Sequence, residues 1–445
     1  MDGTLNILHY SLGFPPYRTG GLTKFCTDLM KEQVKEGDQV SLLWPGEIRL
    51  SGGHTKIRKR RSLDGIASFE VMNPAPVSYD EGIVAISAFT IQGDLKVYEQ
   101  FLQSVRPEVI HIHTLMGLHR NLLAAAKKMG IRTVFTAHDF FPICPKVTLF
   151  RDGMICPDAD TCASCPGCNM TALSLRKIQV LQSPAYRILK DSPIVKKLRK
   201  GHRDEYLSGQ AAVGGKPIRT AEDYRKLREY YRSLLDLMDM IHYNSSVTRA
   251  VYEQYMGGRK SILIPITHGD IQDHRKKKKS GSPIRFTYLS AQSAAKGYFV
   301  LRSVLDELWK ERQDFELNVF FKPTEDAPYI RQHERYDYAQ LERIMDHTDV
   351  LIQPSVWNET FGYTVIEALS YGVPVIVSDH VGAQDVIPEG AGEVVSSKDE
   401  LLAALKNLSA AQLEKMNAVI LAKFHVTTMQ SFNEALLDAI GAPGV

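Results

Sequence analysis

The sequence has no apolar stretch long enough to span a bilayer as a helix. Its first apolar run, Thr4-Leu5-Asn6-Ile7-Leu8-His9-Tyr10, lacks a basic flank and is too short for a secretory signal, so a cytoplasmic location is expected. Cysteine is scarce: there are six, five of them between Cys144 and Cys168, a poor disulfide framework for a chain of 445 residues in that compartment. Charge of one sign is not in excess, since 54 Lys and Arg face 51 Asp and Glu. Basic runs exist, but they lack the interleaved aromatics of a nucleic-acid binder, so no nucleic-acid partner is expected. No repeat of fixed short period is present. What remains is ordinary for a globular protein of two or three domains, with 44% apolar and 24% charged residues.

Short apolar strands alternate with helical segments, as a parallel sheet requires. Strands are expected at residues 5–10, 39–44, 109–113, 133–137, 239–244 and 261–265, with helices at 21–36 and 246–256. The alternation breaks over residues 142–235, which read as an insertion made of a cysteine-rich loop followed by amphipathic helices. After a polar, cationic stretch at 274–283, strands resume at 284–289 and 316–321.

The most informative stretch is Asn358-Glu359-Thr360-Phe361-Gly362-Tyr363-Thr364-Val365-Ile366-Glu367. Residues 349–355 read as a buried strand, 362–371 as a helix stopped by Gly372, and 373–379 as the next parallel strand. Glu359 then lies in the loop beyond a strand's carboxyl end, where open α/β sheets bind ligands, and Glu367 more than a turn inside the helix. Ionised carboxylates only accept hydrogen bonds and suit vicinal hydroxyls, so one can hold a sugar ring and the other a ribose. Backbone N–H groups around Phe361 and Gly362 at the helix start suit a diphosphate. The bland alternative makes Glu359 a first-turn acid and Glu367 a solvated helix residue.

The run Glu359-Thr360-Phe361-Gly362-Tyr363-Thr364-Val365-Ile366-Glu367-Ala368-Leu369-Ser370-Tyr371-Gly372-Val373-Pro374 resembles the donor-site signature of family 4 retaining glycosyltransferases of the GT-B fold. The resemblance implies an α/β chain of two Rossmann-like domains facing a cleft: residues 1–268 for the acceptor, 269–425 for the nucleotide sugar, and a helix within 426–445 crossing back to brace the first domain. It implies a metal-independent hexosyltransferase and a UDP- or GDP-sugar donor. It also implies a glycan or lipid-linked acceptor in cell-surface polysaccharide or glycoconjugate synthesis. Retention of this kind lets the leaving phosphate take the acceptor's proton, so no protein nucleophile is named, and no Asp-x-Asp metal motif stands in a suitable loop.

Other residues fall into place beside that signature. Gly20-Gly21, between the first strand and first helix, is similar to the family's glycine pair at the donor phosphates. His138-Asp139 resembles the family's histidine element near the anomeric centre, a neutral imidazole whose tautomer an acid neighbour would fix. His111 and His113 end the neighbouring strand and read as structural. Lys296-Gly297 resembles the clamp on the leaving diphosphate, but the family's arginine is here Ala291, and three outcomes stay open: another cation such as Lys322 or Arg285 substitutes, the helix N-terminus does more of the work, or the enzyme is slow. Glu359, His138 and Lys296 are therefore the expected catalytic set, with Gly20, Gly21, Thr360, Phe361, Gly362, Glu367 and Lys322 holding the donor. After the last motif strand, Gly382-Ala383-Gln384-Asp385 departs from the family's usual glycine pair and glutamate.

The thiols of Cys144, Cys156, Cys162 and Cys165, with Cys168 as alternate, have spacings suited to tetrahedral zinc as a structural staple; an iron–sulfur cluster, free thiols or disulfides are the alternatives. The basic runs 56–61 and 275–279 read as solvated loops, or else as contacts to an anionic surface. Residues 188–200 mix apolar and cationic side chains at helical spacing and suit peripheral contact with an anionic membrane. Two rival functions stay open: a phosphorylase or sucrose-type transferase on the same fold, and a catalytically weak GT-B scaffold or metal-containing interaction module.

Overall fold

The computed structural model describes residues 4–15, 18–49, 53–78, 82–157, 161–193, 195–197 and 217–441. Its strands in chain order are β1 (Asn6–Tyr10), β2 (Gln39–Pro45), β3 (Lys56–Leu63), β4 (Ile66–Met72), β5 (Val109–Ile112), β6 (Arg132–Ala137), β7 (Phe150–Arg151), β8 (Met154–Ile155), β9 (Met240–Tyr243) and β10 (Ser261–Leu263). The second half adds β11 (Ile284–Tyr288), β12 (Phe315–Val319), β13 (Ile330–Gln332), β14 (Val350–Gln353), β15 (Val375–Ser378) and β16 (Gly392–Val395). Among the described residues these build an eight-stranded sheet ordered β10-β9-β6-β5-β1-β2-β4-β3 and a six-stranded sheet ordered β13-β12-β11-β14-β15-β16. All pairings within the two sheets are parallel except β3 with β4. Central strands such as β5 and β14 are buried along their whole length, as helices on both faces of a parallel sheet demand.

Two basic runs behave differently from the solvated loops expected of them. Residues 56–61 begin β3, the antiparallel edge of the larger sheet, where a cationic outer strand discourages pairing with another chain. Arg60 and Arg187 both pair with Glu70, whose side chain is 1% exposed. The run 275–279 is docked on the second domain. Arg275 NH1 donates to the carbonyls of Ile420 and Phe424 at the end of helix Ala410–Lys423, Lys276 pairs with Asp346 at 2.6 Å, and Lys278 Nζ donates to the Met345 carbonyl. Burial lowers the Lys278 ammonium to about 8.

The helix Met429–Ala439 lies against the first-domain helix Gly21–Lys35, with Phe432 edge-on to Phe25 at 5.3 Å between centroids. One apolar cluster thereby runs from Phe25 and Leu29 through Phe432 and Leu436 to Phe361, Val365 and Leu369, joining the two sheets. The loops beyond the carboxyl ends of β6 and β14 meet at this junction, where Thr360 contacts the His138 carbonyl.

Candidate functional site

Glu359 stands six residues beyond β14, in a loop that makes a parallel bridge to Val381. Its Oε1 receives Lys296 Nζ at 2.5 Å, and its Oε2 accepts from Gln353 Nε2 at 2.7 Å and Ser355 Oγ at 2.8 Å. Burial pushes the carboxyl up, but the Lys296 ammonium and the hydrogen bonds from Ser355 and Gln353 outweigh it and hold Glu359 below the ordinary glutamate value. Lys296 Nζ also lies 5.0 Å from the centroid of the Trp357 ring. Gly297 permits this arrangement: its φ is +75° and a Cβ there would fall 1.7 Å from the Pro354 carbonyl oxygen.

Thr360 ties the motif loop to the first domain. Its hydroxyl donates to the His138 carbonyl at 3.0 Å, and its own carbonyl accepts from Ser245 Oγ at 2.6 Å and Thr248 Oγ1 at 3.0 Å. Asp385 adds a second tie, taking the Ser246 N–H at 2.6 Å and the Ser246 hydroxyl at 2.5 Å. Gly20, with φ +120°, caps helix Gly21–Lys35, and a Cβ on Gly21 would stand 3.1 Å from the Tyr363 ring. Phe361 is buried and meets Tyr363 edge-on, while Gly362 occupies the left-handed region before helix Tyr363–Ser370. Two polar atoms beside these contacts, Trp357 Nε1 and Tyr363 Oη, are buried with no hydrogen-bond partner among the described residues.

Glu367 is 8% exposed, so it is not the solvated helix residue of the bland reading. Its Oε1 lies 3.1 Å from His268 Nε2, while His268 Nδ1 accepts the Asp270 N–H at 3.3 Å, which makes Nε2 the protonated nitrogen. Tyr338 and Tyr363 both meet the His268 ring edge-on. Glu367 therefore sits in an aromatic recess, apart from the Glu359 contacts. His268, Gln353, Ser355, Trp357 and Tyr338 join the expected residues; Gln353, Ser355 and Trp357 lie within six residues of Glu359, where sequence could have found them, whereas His268 and Tyr338 come from distant segments.

Arg285 is not the compensating cation. It lies near the amino end of β11, opposite to the cleft, and forms a two-point pair with Asp349, Nε to Oδ2 at 2.9 Å and NH2 to Oδ1 at 2.8 Å. Lys322 is exposed three residues beyond β12 and is not brought into the Glu359 contacts. Ala291 contributes its carbonyl, which accepts from the buried Tyr288 hydroxyl at 2.8 Å. His138 also departs from expectation, because the group that meets its ring is a histidine: Nε2 lies 3.2 Å from His113 Nδ1, while Asp139 Oδ1 takes the Phe141 N–H at 3.0 Å. Burial, with His242 nearby, drops His138 to about 3.

None of the six cysteines forms a disulfide among the described residues. Cys162 is buried and Cys144, Cys156, Cys165 and Cys168 are half-buried, with Cys162 and Cys165 in hydrogen-bond contact beside a small cavity lined by Phe141 and Tyr231. Among the described residues, the sets of ligand atoms close enough to share an ion are His9–His111–His113 and Cys26–His113–His138; the cysteine loop is not among them, although Cys144 lies near enough to Cys165 and Cys168 to influence them electrostatically. In the amphipathic stretch, Ile188 is 82% and Leu189 55% exposed, while Ile194 and residues 198–200 lie outside the described residues. No helix among the described residues is long and apolar enough to cross a membrane.

Residues 19–155 match the sequence model of glycosyltransferase family 4, and residues 270–421 match that of glycosyl transferases group 1. The chain is a family 4 glycosyltransferase of the GT-B fold. One match falls in each half of the chain, and residues 156–269 between them, which hold most of the cysteine loop, the helical insertion and strands β9 and β10, lie outside both. No curated protein matches the sequence. Solved structures share the fold: the sucrose-phosphate synthase (tll1590) of Thermosynechococcus elongatus at a TM-score of 0.54 and 12% identity, over 98% of each chain. The UDP-forming α,α-trehalose-phosphate synthase of Burkholderia xenovorans, in complex with glucose-6-phosphate, gives 0.54 at 13% identity over 99% of this chain and 100% of that one. An E. coli trehalose-6-phosphate structure bound with UDP-2-fluoro glucose gives 0.52 at 10% identity over 98% of each.

Proposed function

We propose that this glycosyltransferase moves a hexose from a UDP- or GDP-sugar to a glycan or lipid-linked acceptor, with retention at the anomeric carbon, in the synthesis of a cell-surface polysaccharide or glycoconjugate. The observation that carries the reading is the Lys296–Glu359 pair at the carboxyl ends of the second sheet, in a motif loop that Thr360 ties to the backbone of His138. Glu359 accepts three hydrogen bonds and is held ionised, which suits an acceptor that positions a sugar hydroxyl and not a group that trades a proton. Lys296 supplies the charge for the departing diphosphate, with the helix start at Gly362 and the exposed Lys322 completing it where Ala291 offers no guanidinium. The unpartnered Trp357 Nε1 and Tyr363 Oη are further donors for the nucleotide sugar, and Glu367 among its tyrosines grips the ribose.

In this mechanism the acceptor hydroxyl attacks from the face that the phosphate vacates, and its proton passes to the leaving phosphate. The new glycosidic bond and the breaking sugar–phosphate bond therefore share one face, without a protein nucleophile. Exposed Ile188 and Leu189 beside Lys190 and Lys196 support peripheral contact with an anionic leaflet that would carry a lipid-linked acceptor. For the cysteine loop, zinc on Cys144, Cys156, Cys162 and Cys165, with Cys168 as alternate, is supported by thiol density and by the Cys162–Cys165 contact. Binding would draw the other sulfurs toward that pair, and elemental analysis showing neither zinc nor iron removes the proposal.

The test of function is a panel of nucleotide sugars followed by nucleotide release. One donor should turn over, and turnover should vanish in Glu359→Ala; if no nucleotide or nucleotide sugar shifts the melting temperature or is consumed, the scaffold reading takes its place.

A further inference from the structure

A line of hydrogen bonds runs through the first sheet from the last helix to the cleft. Asn433 Oδ1 accepts from Gln33 Nε2 at 3.0 Å, and Gln33 Oε1 meets His9 Nε2 at 2.7 Å. His9 Nδ1 meets His113 Nε2 at 3.0 Å, and His113 Nδ1 meets His138 Nε2 at 3.2 Å. The network assigns the proton positions in turn. With its amide nitrogen committed to Asn433, Gln33 turns its oxygen toward His9 and takes a proton from Nε2. A neutral imidazole carries one N–H, so His9 Nδ1 accepts from His113 Nε2, and His113 Nδ1 accepts from His138 Nε2. His138 Nδ1 is then an unprotonated acceptor. Burial lowers His9 to about 4 and His113 well below its ordinary value, so the rings are neutral near neutral pH and their tautomers, not their charges, carry the information.

A neighbouring path obeys the same direction on separate grounds. His242 Nε2 meets the Ile264 carbonyl at 2.8 Å, and a carbonyl can only accept, so His242 Nδ1 accepts from Thr136 Oγ1 at 2.9 Å and Thr136 in turn accepts from His111 Nε2 at 2.7 Å. A metal on His9, His111 and His113, or on Cys26, His113 and His138, is the competing use of these rings. Either would have to displace hydrogen bonds that already engage both nitrogens of His113.

We propose that Gln33, held by Asn433 of the last helix, is a positioning residue that acts through His9 and His113 to keep His138 in its Nε2–H tautomer, so that Nδ1 offers a lone pair to a hydroxyl of the donor sugar. The functional half rests on the reading of His138 given above; the tautomer half does not.

Histidine-selective 15N labelling of the full chain, with long-range 1H–15N correlation spectra, reads the tautomer directly. Wild type should show His138 protonated at Nε2. Gln33→Met keeps the length and removes the anchoring oxygen, and should turn His138 into a tautomer mixture; Gln33→Glu, an acceptor only, should restore it. Turnover should fall at least about tenfold in Gln33→Met with the donor KM within about twofold, and recover in Gln33→Glu. If Gln33→Met does not fold, Asn433→Ala, which frees the Gln33 amide to rotate, should show the same loss of preference. A wild-type His138 protonated at Nδ1, or an unchanged His138 spectrum in a folded variant, overturns the proposal. A correct tautomer in a chain without transferase activity would overturn only the role given to His138.

Discussion

Glu359 is held by three donors from three directions, and its replacement isolates what charge contributes. Glu359→Gln keeps the shape but leaves Lys296 without its counter-charge in a buried setting. Nucleotide release is expected to fall by about a hundredfold or more with the fold intact by circular dichroism. A second expectation concerns acid. His9 and His242 are lowered to about 4 and His138 to about 3, with burial the leading cause in each. In the unfolded chain these rings titrate near 6.5, so the unfolded state binds more protons below that pH. Stability is therefore complete above about pH 6.5 and drains away as pH falls toward 4. Thermal melts should show a steep loss of Tm across that window, and a flat profile would contradict the neutral, buried cluster.

At the scale of elements, the strand-loop-helix around Lys296 depends on one backbone position. Gly297→Ala meets both a positive φ and a Cβ placed against the Pro354 carbonyl, so unfolding free energy should drop by more than about 2 kcal/mol in denaturant titration, and donor turnover should drop with it. Glu70 makes a parallel case. Glu70→Ala leaves Arg60 and Arg187 the more distant Glu47 carboxylate, at 3.6 and 3.5 Å, and should cost about 1–3 kcal/mol. These elements also show what a sequence can and cannot disclose. The motif strands and the helix between them were legible because buried runs there end at strong turn signals. The helix expected at 246–256 forms as Ser246–Met256. The strand pair β3 and β4 was not legible, since a dense cationic run hides the alternation of an edge strand whose charges find partners only in the folded chain. The run at 275–279 fails for the same reason, because its partners Asp346, Met345 and Ile420 are distant in sequence. The hydrogen-bonded line to His138 joins residues separated by 24, 104 and 400 positions, which no local spacing records.

At the scale of the whole molecule, polar contacts at Thr360 and Asp385, along with His268–Glu367 and Lys24–Asp270, join the domains over a shared apolar cluster. Asp385→Ala removes both acceptors of Ser246 and leaves the Thr360 contacts, so the domains should separate more readily. Small-angle scattering should show a larger radius of gyration at unchanged helix content, with the donor KM raised about threefold to tenfold. The departure from the usual family residues at this position is thus occupied by a domain latch. The chain leaves the first domain after β10 and returns through the helix Met429–Ala439, so the halves are joined covalently at two places. The second crossing is made by the helix that carries Asn433, so the contact that orients Gln33, and through it the proton on His138, sits on the segment that rejoins the halves.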